Sequence, residues 1–128
     1  MTIGKLSTAA SATILLCAQQ GAQAVEFEML GRTPPDRGSS CSLLIEFGSV
    51  CCGPDQAALE AVTAYLKASP AVRRVRQWSW GKEGEQSLCV TTKDAQAAAA
   101  LETELKAHLP PRTPQRPAPR FRRDARID

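Results

Sequence analysis

The order in which hydrophobic periodicity changes along residues 42–109 constrains the fold more than any other feature of this 128-residue chain. The run SLLIEFGSV at 42–50 is short, apolar and rich in strand formers. Residues 71–81 alternate between two sets of side chains, and QSLCVTT at 86–92 returns after the turn GKEGE, which contains two glycines. These segments predict one strand followed by a β-hairpin.

Two helical segments interrupt this strand pattern. The first follows Pro54 and Asp55, which suit a first helical turn, and it ends at Ser69 because a residue before proline avoids helical geometry. The second starts where Thr91 and Asp94 approach the spacing of a capping box. The apolar faces at helical spacing consist of Ala58, Leu59, Val62, Tyr65 and Leu66 in the first segment, and of Ala97, Ala98, Leu101, Leu105 and Leu109 in the second.

The resulting order, β-α-β-β-α, predicts the α+β class and a ferredoxin-like sandwich with both helices on one face of a small antiparallel sheet. A ferredoxin-like domain usually ends on a further strand, for which the sequence shows no clear pattern. Either VEFEML at 25–30 or part of the C-terminal tail could fill the exposed edge.

The ends of the chain differ in composition from this central unit. Lys5, the apolar stretch LSTAASATILLCA and small residues at Ala22 and Ala24 are typical of a secretory signal peptide, residues 1–24, cleaved after Ala24. The apolar stretch is too short to span a membrane comfortably. We therefore expect an exported protein, periplasmic or secreted, with no transmembrane segment after cleavage.

Three further segments follow the signal peptide. Residues 25–40 are interpreted as a leader or linker with a possible edge strand, 41–109 as the ferredoxin-like domain, and 110–128 as a disordered tail rich in proline and arginine. The tail carries six arginines against two aspartates, whereas residues 25–109 carry nine basic against eleven acidic residues. The acidic balance of the body argues against nucleic-acid binding, while the basic tail could contact anionic surfaces.

Four cysteines remain after signal cleavage: Cys41, Cys51, Cys52 and Cys89. An extended 42–50 would hold Cys41 roughly 30 Å from Cys51, whereas a disulfide requires Cα atoms within about 7 Å. Cys41 could instead bond Cys89, which would leave Cys51 and Cys52 either as a strained disulfide between adjacent residues or as two thiols. In a rival arrangement Cys51 or Cys52 bonds Cys89 and Cys41 is free.

The position of the adjacent pair suggests chemistry. A thiol at a helix N-terminus has its pKa lowered by the positive end of the helix dipole, and thiolates bind soft metals. The segment LLIEFGSVCCGPDQAALEAVTAYLKASPAVRRVRQWSW…SLCV resembles the heavy-metal-associated domain of copper chaperones and metal-pumping ATPases, over about 70 residues and at the level of architecture. The resemblance implies a metal site at Cys51 and Cys52, which here are adjacent where the family has C-x-x-C.

Two hypotheses for function follow. In the first, a small exported protein binds copper or another soft metal, or takes part in thiol–disulfide exchange, through Cys51 and Cys52, while Cys41 and Cys89 form a disulfide. No catalytic set of a hydrolase is present, because there is no G-x-S-x-G and His108 is the only histidine. We therefore expect no enzyme.

The alternative is a non-enzymatic interaction module stapled by disulfides. Its partner, a protein or a component of the cell envelope, would bind either the basic tail or a patch on the strand at 71–81. That patch would combine aromatic rings with guanidinium groups that can make cation–π contacts. Its residues are Arg74, Arg76, Trp78 and Trp80.

Overall fold

The computed structural model describes Gly4 and residues 24–128, and within this part the chain forms five strands and two helices. The predicted signal peptide, with Cys17, lies outside the described residues apart from Gly4 and Ala24. In chain order the elements are β1 (Glu26–Met29), β2 (Ser40–Phe47), α1 (Gln56–Ala68), β3 (Val72–Trp80), β4 (Glu85–Thr92), α2 (Ala95–Ala107) and β5 (Arg120–Arg126).

The five strands form one mixed sheet in the order β1-β3-β4-β2-β5. β1 runs parallel to β3, and the other neighbouring strands are antiparallel. The hairpin predicted from the GKEGE turn is the β3–β4 pair. The architecture confirms the predicted α+β class, and it places the end of β2, the start of α1 and the β3–β4 turn close together.

Both edges of the sheet come from segments outside the predicted domain. VEFEML forms the strand β1, but it pairs with β3, and Phe27 packs against the main core. The edge beside β2, where a ferredoxin-like domain has its last strand, is filled by the other alternative, the tail. Residues 31–39 are hydrogen-bonded to the sheet at both ends: Ser79 N of β3 donates to the Gly31 carbonyl, and Gly38 N donates to the carbonyl of Ile127, just after β5. This linker is therefore part of the folded unit.

The prediction of a disordered tail is wrong for residues 120–126, which pair with β2 as the strand β5. The sequence leaves the tail as one of two candidates for this edge but does not locate the strand, because backbone hydrogen bonds form it without an apolar side-chain pattern. Two ion pairs attach its side chains to the rest of the fold, with Arg122 Nε 3.4 Å from Glu46 Oε1 and Arg123 Nε 3.2 Å from Glu102 Oε1. Ala125 of the same strand is buried. Arginines along an outer strand also oppose further edge pairing.

Both helix starts differ in detail from the prediction. Asp55 is the N-cap of α1, accepting from Ala58 N at 3.1 Å, so α1 begins at Gln56 and Pro54 lies before it. Asp94 is the N-cap of α2 and accepts from Ala97 N at 2.7 Å, so the predicted cap at Thr91 is wrong. A carboxylate at the cap position itself reaches the amide three residues on, which is the usual capping geometry.

Among residues 24–128, the buried hydrophobic side chains form two clusters. The larger cluster contains residues of β2, β3, β4 and both helices, and most of the predicted apolar helix residues belong to it. Its members are Leu43, Ile45, Phe47, Ala58, Leu59, Val62, Leu66, Val72, Val75, Leu88, Val90, Leu101 and Leu105. The smaller cluster contains no helix residue and consists of Cys41, Leu44, Trp78, Cys89, Ala125 and Ile127. No helix in the described part of the chain is long and apolar enough to cross a membrane.

Candidate functional site

Cys51 and Cys52 lie in the loop between β2 and α1, and both are exposed free thiols. They precede the α1 N-cap, Asp55, by four and three residues. The prediction that the pair stands at the helix N-terminus itself is therefore wrong, because the cap position is occupied by an aspartate that already accepts a helix amide. The electric field of the helix dipole falls off beyond the first turn, so it is weaker at the two thiols than at the cap.

The backbone of this loop brings the two adjacent sulfurs together. Adjacent side chains on an extended strand point in opposite directions. Here Cys52 has φ +72° and Gly53 has φ +96°, two successive residues in the left-handed region. A non-glycine residue with such a φ is uncommon. The turn places Cys51 Sγ 2.7 Å from Cys52 Sγ.

The β3–β4 turn anchors one side of the loop through Glu83. Its carboxylate accepts from Ser49 Oγ at 2.8 Å and from Gly53 N at 3.2 Å, and Gly53 N also lies 3.1 Å from Ser49 Oγ. The hydrogen bond from Ser49, with further bonds from the amides of Gly53 and Cys52, holds the pKa of Glu83 below its ordinary value. An ionised carboxylate thus fixes the loop that carries the sulfurs.

The pKa of the Cys51 thiol is raised, which contradicts the lowering predicted from the helix dipole. The main cause is the hydrogen bond with Cys52; partial desolvation, the charge of Cys52 and the charge of Glu83 act in the same direction, and Arg116 opposes them. A nearby second thiolate and a carboxylate both disfavour a negative charge on Cys51. The adjacent sulfur thus has a larger effect on this thiol than the helix.

The segment before β5 forms the other side of the site. Arg116 Nη1 donates to the Pro54 carbonyl at 2.6 Å, which ties this segment to the loop. Between them lies a groove of about 460 Å³, at whose edge Val50 is 80% exposed. The groove is lined by Val50, Cys51, Arg112, Thr113, Pro114, Gln115, Arg116 and Pro117.

Sequence reasoning identified the cysteines but missed Ser49, Glu83 and Arg116. Glu83 was assigned to a turn and Arg116 to a disordered tail, and each comes from an element distant in sequence from the pair. The positive φ at Cys52 also has no residue-type signal, because cysteine is not among the residues enriched there. The one sequence feature that pointed to Glu83 was its place in the glycine-containing turn between β3 and β4.

The other two cysteines form the disulfide Cys41–Cys89, with Cα atoms 5.2 Å apart. It links β2 to β4, and its residues are 1% and 0% exposed. This is the pairing that the strand-length argument allowed, and the rival bond from Cys51 or Cys52 to Cys89 does not form. Arg76 Nη2 lies 3.4 Å from Cys89 Sγ, while Arg76 Nε is buried without a hydrogen-bond partner among the described residues.

The predicted partner patch is largely engaged within the protein. Arg74 donates two hydrogen bonds to Glu28 Oε1, at 3.0 and 2.7 Å. Trp78 belongs to the smaller buried cluster, and Trp80 is 38% exposed with its indole N–H donating to Ser87 Oγ at 2.9 Å. The four residues share one strand, but they do not form an open surface of rings and guanidinium groups.

Comparison with known proteins provides no relative from which a function could be transferred. No family model matches the chain, and no curated protein or solved structure is similar to it. Within residues 24–128, no group of three or more His, Cys, Asp and Glu side chains is arranged to hold a metal ion. The geometry of the Cys51–Cys52 loop is therefore the main basis for assigning a function.

Proposed function

We propose that this protein takes part in reversible thiol–disulfide exchange through Cys51 and Cys52. The observation that carries the proposal is the 2.7 Å separation of two exposed sulfurs on a loop held from both sides. A disulfide has its sulfurs about 2.05 Å apart, so bond formation requires a shift of well under 1 Å. Because the sulfurs are already close, closing the Cys51–Cys52 bond requires little further ordering of the loop.

The reaction balances with a disulfide on a partner as the oxidant. One thiolate of the pair attacks a partner sulfur, forms a mixed disulfide and releases a partner thiolate. The second thiolate of the pair then attacks the mixed disulfide, closes the Cys51–Cys52 bond and releases the other partner sulfur. Two electrons and two protons pass to the partner, and the reverse sequence oxidises a partner dithiol.

The distance between the sulfurs favours exchange over a metal site. The resemblance to heavy-metal-associated domains implied copper or another soft metal at Cys51 and Cys52, and thiolates are suitable ligands for such ions. Two thiolates that share one tetrahedral ion at about 2.3 Å lie roughly 3.8 Å apart. From 2.7 Å, closing a disulfide requires a smaller movement of the sulfurs than reaching this metal-bound spacing, and metal uptake is the competing outcome of the test.

We further propose that the domain is ferredoxin-like and that the protein is exported. The order β3-β4-β2-β5, with all three pairs antiparallel, supports the first, as does the single buried cluster that residues of both helices share. The Cys41–Cys89 disulfide supports an oxidising compartment, where such bonds persist. Exchange at Cys51 and Cys52 would then take place outside the cytosol.

A partner-binding module acting through the tryptophan strand has less support. Trp78 is 8% exposed and Arg74 is committed to Glu28, so little of the predicted patch is open to a partner. The basic residues of the tail are partly used as well, because Arg122 and Arg123 pair with acidic residues of β2 and α2.

The test is a thiol count by alkylation and peptide mapping on the full chain carrying Cys17→Ser. After mild reduction we expect label on Cys51 and Cys52 alone, and after oxidised glutathione we expect neither labelled and a peptide with a Cys51–Cys52 bond. Variants Cys51→Ser and Cys52→Ser should each stop at a glutathione adduct, since they lack the resolving thiol. Thiols that resist oxidised glutathione but disappear stoichiometrically on Cu(I) addition would contradict exchange and support a metal site.

A further inference from the structure

We propose that the groove beside the cysteine pair binds an acidic polypeptide segment carrying a disulfide, and that Cys51 is the sulfur that exchanges with it. This inference rests on the proposed exchange function. It adds the class of partner and the order in which the two cysteines react. Three independent features of the groove support it.

The first feature is the position of the two sulfurs relative to the groove. Cys51 lines the groove, together with Val50, whereas Cys52 does not. A partner sulfur that enters along the groove therefore meets Cys51 first. Cys52 Sγ lies 2.7 Å from Cys51 Sγ, where it can attack the mixed disulfide and release the partner.

The second feature is the charge of the wall opposite Cys51. The lining contains two arginines, Arg112 and Arg116, and no acidic residue. Arg116 uses one N–H group for the Pro54 carbonyl, and a guanidinium carries five N–H donors, so others remain for a carboxylate. Glu83, the acidic group whose charge acts on Cys51, accepts hydrogen bonds from Ser49 and Gly53 and does not line the groove.

The third feature is the apolar part of the lining. Val50 is 80% exposed at the edge, and Pro114 and Pro117 lie on the opposite wall. An isolated exposed valine needs no explanation, but here it lies beside a reactive sulfur and two prolines. The groove therefore offers an apolar surface next to a cationic one, which suits an extended peptide that carries an acidic residue beside its cysteine.

The test uses the reduced full chain with Cys17→Ser and three symmetric peptide disulfides that are identical except for Glu, Gln or Lys beside the cysteine. Each exchange rate is divided by the rate of the same peptide with dithiothreitol, which removes differences in leaving-group reactivity. We expect the Glu peptide to react about tenfold faster than the Lys peptide at low salt, with a smaller ratio at high salt.

The variant Arg112→Gln/Arg116→Gln should reduce this ratio to about twofold. The matched control, Arg120→Gln/Arg126→Gln, removes the same charge from exposed residues of β5 and should leave the ratio unchanged. If Arg112→Gln/Arg116→Gln kept the preference for the Glu peptide, the groove would not be the source of that preference. Equal rates with all three peptides would likewise overturn the proposed acidic-peptide site, although exchange itself would stand. No exchange with any peptide would overturn the proposed function and this inference together.

The assignment of Cys51 and the nature of the partner have their own readouts. In Cys52→Ser the acidic peptide should accumulate as a mixed disulfide on Cys51, at least about tenfold faster than it accumulates on Cys52 in Cys51→Ser. Faster trapping on Cys52 would contradict the proposed order. If oxidised glutathione, a small anionic disulfide, reacted as fast as the acidic peptide, the groove would not be a polypeptide site.

Discussion

The two cysteine pairs of this chain differ in almost every physical respect. Cys41 and Cys89 are buried, 48 residues apart, and joined between two neighbouring strands. Cys51 and Cys52 are exposed and adjacent in a loop. A bond that links distant parts of the chain restricts the unfolded state, whereas a bond between neighbours restricts very little. The buried bond is therefore the one expected to stabilise the fold, and the exposed pair is the one available for the exchange that we propose.

The largest difference should appear in unfolding. Cys41→Ala/Cys89→Ala should lower the free energy of unfolding by about 4 kcal/mol, because the bond closes a loop of about 48 residues. Cys51→Ser/Cys52→Ser should change it by less than about 0.5 kcal/mol, since both side chains are exposed. Urea denaturation of the two double variants measures both values, and equal losses would remove the distinction between the pairs.

Reduction of the oxidised protein should separate the pairs next. Dithiothreitol should open a Cys51–Cys52 bond at least about a hundredfold faster than Cys41–Cys89, because attack on the buried bond requires the sheet to open. Timed alkylation followed by peptide mapping gives the two rates. Simultaneous release of all four thiols would show that the buried position of Cys41–Cys89 gives no protection.

A smaller effect is expected on the pKa of Cys51. The pH profile of its alkylation should have a midpoint above the ordinary cysteine pKa of 9.0, because the hydrogen bond to Cys52 stabilises the thiol form. In Cys52→Ala this midpoint should fall, since both the hydrogen bond and the neighbouring negative charge are removed. The control is Glu60→Gln, which removes a charge from an exposed residue of α1 outside the loop. It should leave the midpoint of Cys51 alkylation unchanged. An unchanged midpoint in Cys52→Ala would mean that the sulfurs do not interact.

The smallest effect concerns the anchor of the loop. Because the folded-state pKa of Glu83 is lowered, its hydrogen bonds contribute above the ordinary glutamate pKa of 4.5 and are lost as pH falls through the lower folded value. The Gly53 amide resonance should therefore shift with a midpoint below 4.5, and this shift should be absent in Glu83→Gln. A midpoint at or above 4.5 would place the carboxylate away from the loop.

The sequence predicted the central unit well and its surroundings poorly. Periodicity identified β2, the hairpin and both helices because their burial is regular, and strand length excluded a bond between Cys41 and Cys51. The tail was only one of two candidates for the sheet edge, and β5 could not be located within it, because its four arginines leave no apolar pattern and its pairing with β2 depends on backbone groups. The rise in the Cys51 pKa was missed because it follows from the turn at Cys52 and from Glu83, which only the folded chain brings together.

The most direct test of the account is an equilibrium titration of the full chain with Cys17→Ser in glutathione buffers of graded redox potential, followed by alkylation and peptide mapping. We predict one two-electron transition, in which Cys51 and Cys52 pass together from two thiols to a mutual bond while Cys41–Cys89 stays bonded throughout. Thiols at Cys51 and Cys52 that never pair across the range, or that pair only when Cys41–Cys89 opens, would contradict it.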